Sequence, residues 1–181
     1  VQGPLQIGRR SRLEERFQSY WGVSNASIAG LAQAAERFQA DAVVVSGLGV
    51  LPLLVGIEHA LRVWYAADEW LWHHLSQVKL GVPSTWNEAK DGVVKAVYER
   101  AFRTRLDRVW VVSASDARWM RRVAGVKDVD ILPNGVDSDY FHPAGNVTEP
   151  DTAVFWGRLD FGPNVQAVEW FCEKVWPTVV D

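Results

Sequence analysis

Gly157 and Arg158 directly follow the apolar run Thr152 to Trp156. At the carboxyl end of a parallel strand, where open α/β sheets bind ligands, a residue without a Cβ lets phosphate approach the backbone. The arginine beside it brings a planar, permanently charged fork that can bind two phosphate oxygens, each charge-assisted hydrogen bond contributing about 1.5–3 kcal/mol. Together they suit a nucleotide diphosphate; the competing reading of Arg158 is a solvated surface side chain. Asp68 and Glu69 close the run Leu61 to Ala67. Carboxylates at a strand end can orient an acceptor hydroxyl or take its proton, and they equally suit the positive end of a helix through Trp70 to Val78. Asn134 and Gly135 tolerate positive φ, so the chain can turn sharply off a strand end there. Asn134 and Asp137 either hydrogen-bond local backbone at a turn or hinge, or contact a ligand. Ser113 stands at a further strand end and suits an N-cap or a turn. His73 and His74 are adjacent, so on a helix they point about 100° apart and cannot share a metal as an i, i+4 pair. No metal site is expected.

The bulk properties narrow the field. A chain of 181 residues accommodates one full α/β domain and part of another. Hydrophobic residues at 48% and charged residues at 23% describe a globular chain with a real core, which sets disorder aside. A net charge of −3 offers no broad positive field, so nucleic acid is not an expected partner. Cys172 is the only cysteine, which rules out an intrachain disulfide and a cysteine-based metal cage and fits a reducing cytoplasm. The least polar stretch, Ala42 to Ile57, is broken by Gly47, Gly49, Pro52 and Gly56 and falls short of the roughly 20 residues that span a bilayer. No transmembrane segment is expected. The chain opens on Val1-Gln2-Gly3-Pro4 with neither an initiator methionine nor a signal-peptide pattern, which reads as a truncated start.

The elements that must position these residues alternate. Ser24 and Asn25 offer caps to a helix with Ile28, Leu31, Ala32, Ala35 and Phe38 on its apolar face. Ala42 to Val45 reads as a central parallel strand buried on both faces. Leu53 to Ala60 suits a helix, Leu61 to Ala67 a strand, and Asn87 to Leu106 a longer helix carrying Val94, Val97 and Ala101 on one side. Arg108 to Ser113 is a further strand, Ser115 caps a helix through Val123, Gly125 takes its left-handed C-terminal position, and Val129 to Leu132 is strand again. Such alternation predicts a parallel sheet with flanking helices. Residues 143–151 are polar and turn-rich, as a linker requires. Beyond them the sequence predicts a strand over Thr152 to Trp156 and a helix capped by Asn164, with Val165, Val168, Phe171, Cys172 and Val175 on its buried face. The predicted organisation is one domain over 1–142, a linker over 143–151, and the opening of a second domain over 152–181.

Three ordered segments carry a resemblance: Ile131-Leu132-Pro133-Asn134-Gly135-Val136-Asp137 with Tyr140-Phe141, then Phe155-Trp156-Gly157-Arg158-Leu159, then Gly162-Pro163-Asn164-Val165-Gln166-Ala167-Val168-Glu169-Trp170-Phe171. With the upstream strand Arg108-Val109-Trp110-Val111-Val112-Ser113, they resemble glycosyltransferase family 4 from about Leu106 to Pro177. The resemblance implies most of the N-terminal Rossmann-like domain of a two-domain GT-B fold, plus the first βα unit of its nucleotide-sugar-binding domain. It further implies transfer of a sugar, with retention, from a nucleotide-diphosphate donor, which is a substrate and not a cofactor. Gly157 and Arg158 would then bind the donor diphosphate, and Ser113 would line the acceptor side. A carbohydrate or lipid-linked acceptor, a cytoplasmic location and contact with the inner membrane surface are compatible with it, and some of the ten tryptophans could then stack on sugar rings. The chain departs from the family in two places. No lysine lies between Leu159 and Val165, and Ser46-Gly47-Leu48-Gly49 stands where relatives often carry a histidine. Epimerases and phosphorylases of the same fold, and a non-catalytic nucleotide- or sugar-binding protein, are the alternative readings.

Overall fold

The computed structural model describes residues 10–67, 70–142, 145 and 149–180, and the chain divides into two compact units between Gly135 and Val136.

The first unit begins with helix α1 (Arg12–Tyr20), started by a reciprocal cap. The Ser11 hydroxyl accepts the Glu14 N–H, and the Glu14 carboxylate accepts the Ser11 N–H at 2.6 Å. Helix α2 (Asn25–Arg37) starts from Ser24, whose hydroxyl accepts the Ser27 N–H at 2.9 Å. Ile28 and Ala32 are buried as expected, but Phe38 is 71% exposed because the helix has already ended at Arg37.

Four strands form the sheet: β1 (Ala42–Ser46), β2 (Leu61–Ala67), β3 (Arg108–Val111) and β4 (Val129–Ile131). They lie side by side in chain order and every pairing is parallel. This is an α/β unit of Rossmann-like type with flanking helices. β1 is therefore an edge strand of the described sheet and not a central one. Its side chains alternate, Val43 and Val45 facing the core while Val44 stays half exposed. Burial is heavier in β2, where Val63, Trp64 and Ala66 are buried and Tyr65 is half-buried.

The connections depart from expectation in three places. Leu51–Gly56 forms tight 3₁₀ turns, with Pro52 near their start, in place of a helix over 53–60. Close packing holds this segment against α2, since a Cβ on Gly56 would lie 2.8 Å from Ile28 Cγ2. After α3 (Trp70–Ser76), helix α4 (Trp86–Phe102) stops short of Leu106 and tightens into a 3₁₀ turn over Arg103–Arg105. It buries Tyr98, Glu99 and Phe102, while Val97, expected on the core side, is 42% exposed. The true stripe is turned toward the larger aromatic side chains, which remove more apolar surface from water. Helix α5 (Ala114–Val123) is capped by Ser113 and not by Ser115. Gly125 adopts φ +72°, the left-handed conformation expected of it. Phe17 meets Tyr98 edge to face at 4.7 Å, and Tyr98 stands 5.0 Å from Phe102, so α1 and α4 share one aromatic core.

A charged clamp joins β2 to β3. Arg62 donates through Nε and Nη2 to both Asp107 oxygens, and the Arg62 N–H donates to Asp107 Oδ2 at 2.8 Å. The Arg62 guanidinium holds the Asp107 carboxyl below its ordinary value of 3.8 against a smaller opposing effect of burial. A depressed carboxyl stabilises the fold above its unfolded pKa and loses that contribution as pH falls through its folded pKa. Asp107→Asn is accordingly expected to flatten the acid limb of a plot of melting temperature against pH. Superimposable acid limbs for the two proteins would show that the clamp contributes nothing.

The second unit is built differently. Thr152 to Trp156 forms no strand, because backbone donors and acceptors make a ladder only with a neighbour and none pairs with this segment among the described residues. Helix α6 (Gly162–Trp170) begins two residues before Asn164, with Phe161 at the cap and Pro163 in the first turn, where a missing N–H costs nothing. It runs through a single π-helical turn (Phe171–Val175) into α7 (Trp176–Val180). Cys172 is exposed and Val165, Val168, Phe171 and Val175 are only half-buried, contrary to expectation. A single helical segment has no second layer of its own to cover its apolar stripe. Val168, Phe171, Cys172 and residues 151–155 border a hollow of about 730 Å³.

Candidate functional site

Ligands of open α/β sheets bind at the carboxyl ends of the strands, so those ends come first. After β1, Gly47 takes φ +91°, where only glycine sits without strain. Its N–H donates to Tyr65 O at 3.2 Å and its carbonyl accepts the Trp64 indole N–H at 3.1 Å. The next carbonyl, Leu48 O, accepts the Tyr98 hydroxyl at 3.1 Å. Burial, with a smaller contribution from the Glu99 charge, pushes that hydroxyl's pKa up, so Tyr98 pins the loop and does not supply an acid. Asp68 and Glu69, at the end of β2, lie outside the described residues. After β3, the Ser113 hydroxyl accepts the Asp116 N–H at 3.1 Å and bonds the Asp116 carboxylate, which commits it to the cap of α5. After β4, Asn134 and Gly135 are exposed, but neither takes positive φ. The expected left-handed turn is absent.

Between α3 and α4 lies a group that reading the sequence passed over. Buried His74 places Nδ1 2.8 Å from Glu88 Oε2 and Nε2 2.6 Å from Lys95 Nζ, and Lys95 sits 4.4 Å over the Trp70 ring. A lysine ammonium can only donate, so Nε2 accepts and Nδ1 carries the hydrogen that Glu88 receives. Glu88 and Lys95 are seven residues apart, two helical turns on one face of α4; that spacing was the available signal.

In the second unit the site is the loop from Gly157 to Asn164. The Arg158 guanidinium lies exposed and donates through Nε to Asp160 Oδ1 at 3.0 Å and through Nη2 to Asp160 Oδ2 at 2.7 Å. These bonds raise the pKa of Arg158 and hold the Asp160 carboxyl below the usual range. Asn164 reaches back to donate its amide to Arg158 O at 2.9 Å, which closes the loop onto the start of α6. The same amide occupies the space left by the missing side chain of Gly157, where a Cβ would come within 2.8 Å of Asn164 Nδ2. Asp137, some twenty residues earlier, accepts the N–H groups of Asp139 and Tyr140 at 3.1 and 3.0 Å. It stabilises a local turn. Asp160 and the backbone role of Asn164 were not legible beforehand; an acid two residues from an arginine is too common a pattern to mark a clamp.

Among the described residues no cluster of histidine, cysteine and carboxylate side chains could hold a metal ion, and no helix is long and apolar enough to cross a membrane. No family model, curated protein or solved structure matches the chain.

Proposed function

We propose that the chain carries most of the acceptor-side domain and the start of the donor-side domain of a nucleotide-sugar glycosyltransferase with a GT-B fold, acting with retention. The exposed Arg158 fork beside Gly157 carries this reading. Asp160 takes the Nε and Nη2 edge, which leaves the Nη1 side of the guanidinium open. Breaking the bond between sugar and diphosphate leaves negative charge on the departing oxygen. A preorganised cation next to it lowers the barrier because nothing has to reorient as that charge grows. A parallel sheet preceding this loop, and three motifs in the family's order, support the same assignment. With it go a carbohydrate or lipid-linked acceptor and a cytoplasmic location, which is compatible with contact at the inner membrane surface.

Titration of the chain with uridine diphosphate and guanosine diphosphate, with uridine as control, tests the assignment by calorimetry. At least one diphosphate should bind and the nucleoside should not. Arg158→Ala should weaken the diphosphate about tenfold, the equivalent of one charge-assisted bond. Equal affinity in the variant, or no binding of either diphosphate, would remove Arg158 from the donor site.

A further inference from the structure

We infer that the outward face of α4 lies flat on a membrane surface rich in anionic phospholipid. Trp86, Lys90, Val93, Val97 and Arg100 are all exposed and follow one another at steps of three or four residues, which sets them in one row along the helix. Membrane contact as part of a transferase rests on the transferase reading, whereas the affinity of this face for lipid does not.

A helix on the outside of a globular unit turns its apolar residues inward and its charges outward. In α4 both sides are apolar. Tyr98 and Phe102 fill the core, while Trp86 is 63% exposed and Val93 54% exposed. The carboxylates of the helix avoid the outward row. Glu99 is buried, Glu88 bonds His74 of α3, and Asp91 lies about 140° around the helix from Trp86. The row therefore combines aromatic and aliphatic side chains with two cations and no acid, in a chain whose acidic residues outnumber its basic ones.

The turn leading into α4 adds to this surface. The Val82 N–H donates to Lys79 O at 3.2 Å around Gly81 at φ +83°. The Thr85 hydroxyl accepts the Lys79 N–H at 3.0 Å and donates to Val82 O at 2.8 Å, which ties the turn to the start of the helix. Its tip is Leu80, 96% exposed, beside a third exposed cation, Lys79.

Charge and residue type select the partner. Lysine is depleted in the cores of protein interfaces, yet Lys90 stands within this row. A second copy of the chain related by a two-fold axis would set these cations against themselves. A phospholipid surface accommodates both kinds of residue. Valine and leucine enter the boundary of the acyl chains, the tryptophan ring stays at headgroup level, and lysine and arginine lay their stems on apolar surface with their charges among the headgroups. Anionic lipids supply the opposite charge, a gain of about fivefold in affinity per lysine.

Co-sedimentation of the chain with vesicles of phosphatidylglycerol and phosphatidylcholine in equal parts provides the test, with phosphatidylcholine vesicles as control. The chain should bind the mixed vesicles, and the neutral ones about fivefold more weakly or less. Trp86→Ser should weaken binding to the mixed vesicles about tenfold and Lys90→Gln about fivefold. Should Trp86→Ser fail to fold, Lys90→Gln decides alone. Phe38→Ser removes a similarly exposed ring at the end of α2 and should leave binding unchanged. No binding to the mixed vesicles, equal binding to both kinds, full binding by Lys90→Gln, or as large a loss in Phe38→Ser would each overturn the inference. A dimer in solution that Trp86→Ser abolishes would also overturn it, by giving the face to a second copy. Lipid binding without diphosphate binding at Arg158 leaves this face standing and ends the transferase reading. The converse result removes the lipid contact alone.

Discussion

Trp64→Ala is expected to leave the first unit largely unfolded under conditions in which the native chain is stable. Trp64 is fully buried at the centre of β2, and truncating an aromatic of that size in a core costs about 3–5 kcal/mol. The change also strips the half-exposed Gly47 carbonyl of the indole donor at 3.1 Å, which adds a smaller loss of about 1 kcal/mol. Single domains rarely possess more than about 5–15 kcal/mol in total, so the loss approaches the whole. Urea unfolding followed by far-ultraviolet circular dichroism measures it. Trp64→Phe, which keeps most of the apolar volume, should fall between the two, and a deficit under about 2 kcal/mol for Trp64→Ala would contradict the packing described.

The second large effect is expected from Arg105→Ala. Arg105 Nε donates to Glu14 Oε1 at 2.6 Å, and the Glu14 side chain is only 5% exposed. Removing one partner of a buried ion pair leaves the other charged and desolvated, at a cost of about 3–5 kcal/mol. Arg105 is itself 22% exposed, so a loss of about 3 kcal/mol is expected, the low end of that range. The pH dependence follows from the direction of the shift. Burial pushes the Glu14 carboxyl up, but hydrogen bonds from Arg105 and Ser11 outweigh it and hold the group below its ordinary 4.5. In the native chain this contribution is present above the unfolded pKa and is lost as pH falls through the folded one. In Arg105→Ala the carboxylate keeps its burial and loses its cation, so the deficit should shrink as acid protonates Glu14. Urea midpoints measured across the acid range check this. If adding Glu14→Gln to Arg105→Ala restores nothing, the stranded charge is not the cause.

Strand positions were legible in the sequence wherever β-branched runs were bounded by turn residues. Val43 to Val45, Leu61 to Ala67 and Arg108 to Val111 all lie in the parallel sheet. Edge or centre was not legible, because a run such as Val43-Val44-Val45 is equally apolar in either place and only the pairing decides which residue faces out. Helix faces were misjudged in α4 because small apolar residues were weighted like large ones, and the aromatic rings took the core. Ser113 and Ser115 are both good caps by type; the strand's end at Val111 selected the first. At the candidate sites, Arg158 could be read from its neighbour Gly157, yet its partner Asp160 could not. The Glu88, His74 and Lys95 group needed two helices to meet, a contact that no local pattern encodes.

The strictly sequential strand order sets the searches the backbone must complete. Ala42 finds Leu61 and Val109 finds Val129 after comparable, short excursions, whereas Val63 must wait for Arg108 across α3 and α4. Closing a loop grows costlier with its length, by roughly 0.6 kcal/mol per doubling, so the two outer pairings are the cheaper nuclei and the middle one the slow merger. Arg62 and Asp107 stand at that seam, so their clamp can close only when the two halves of the sheet meet.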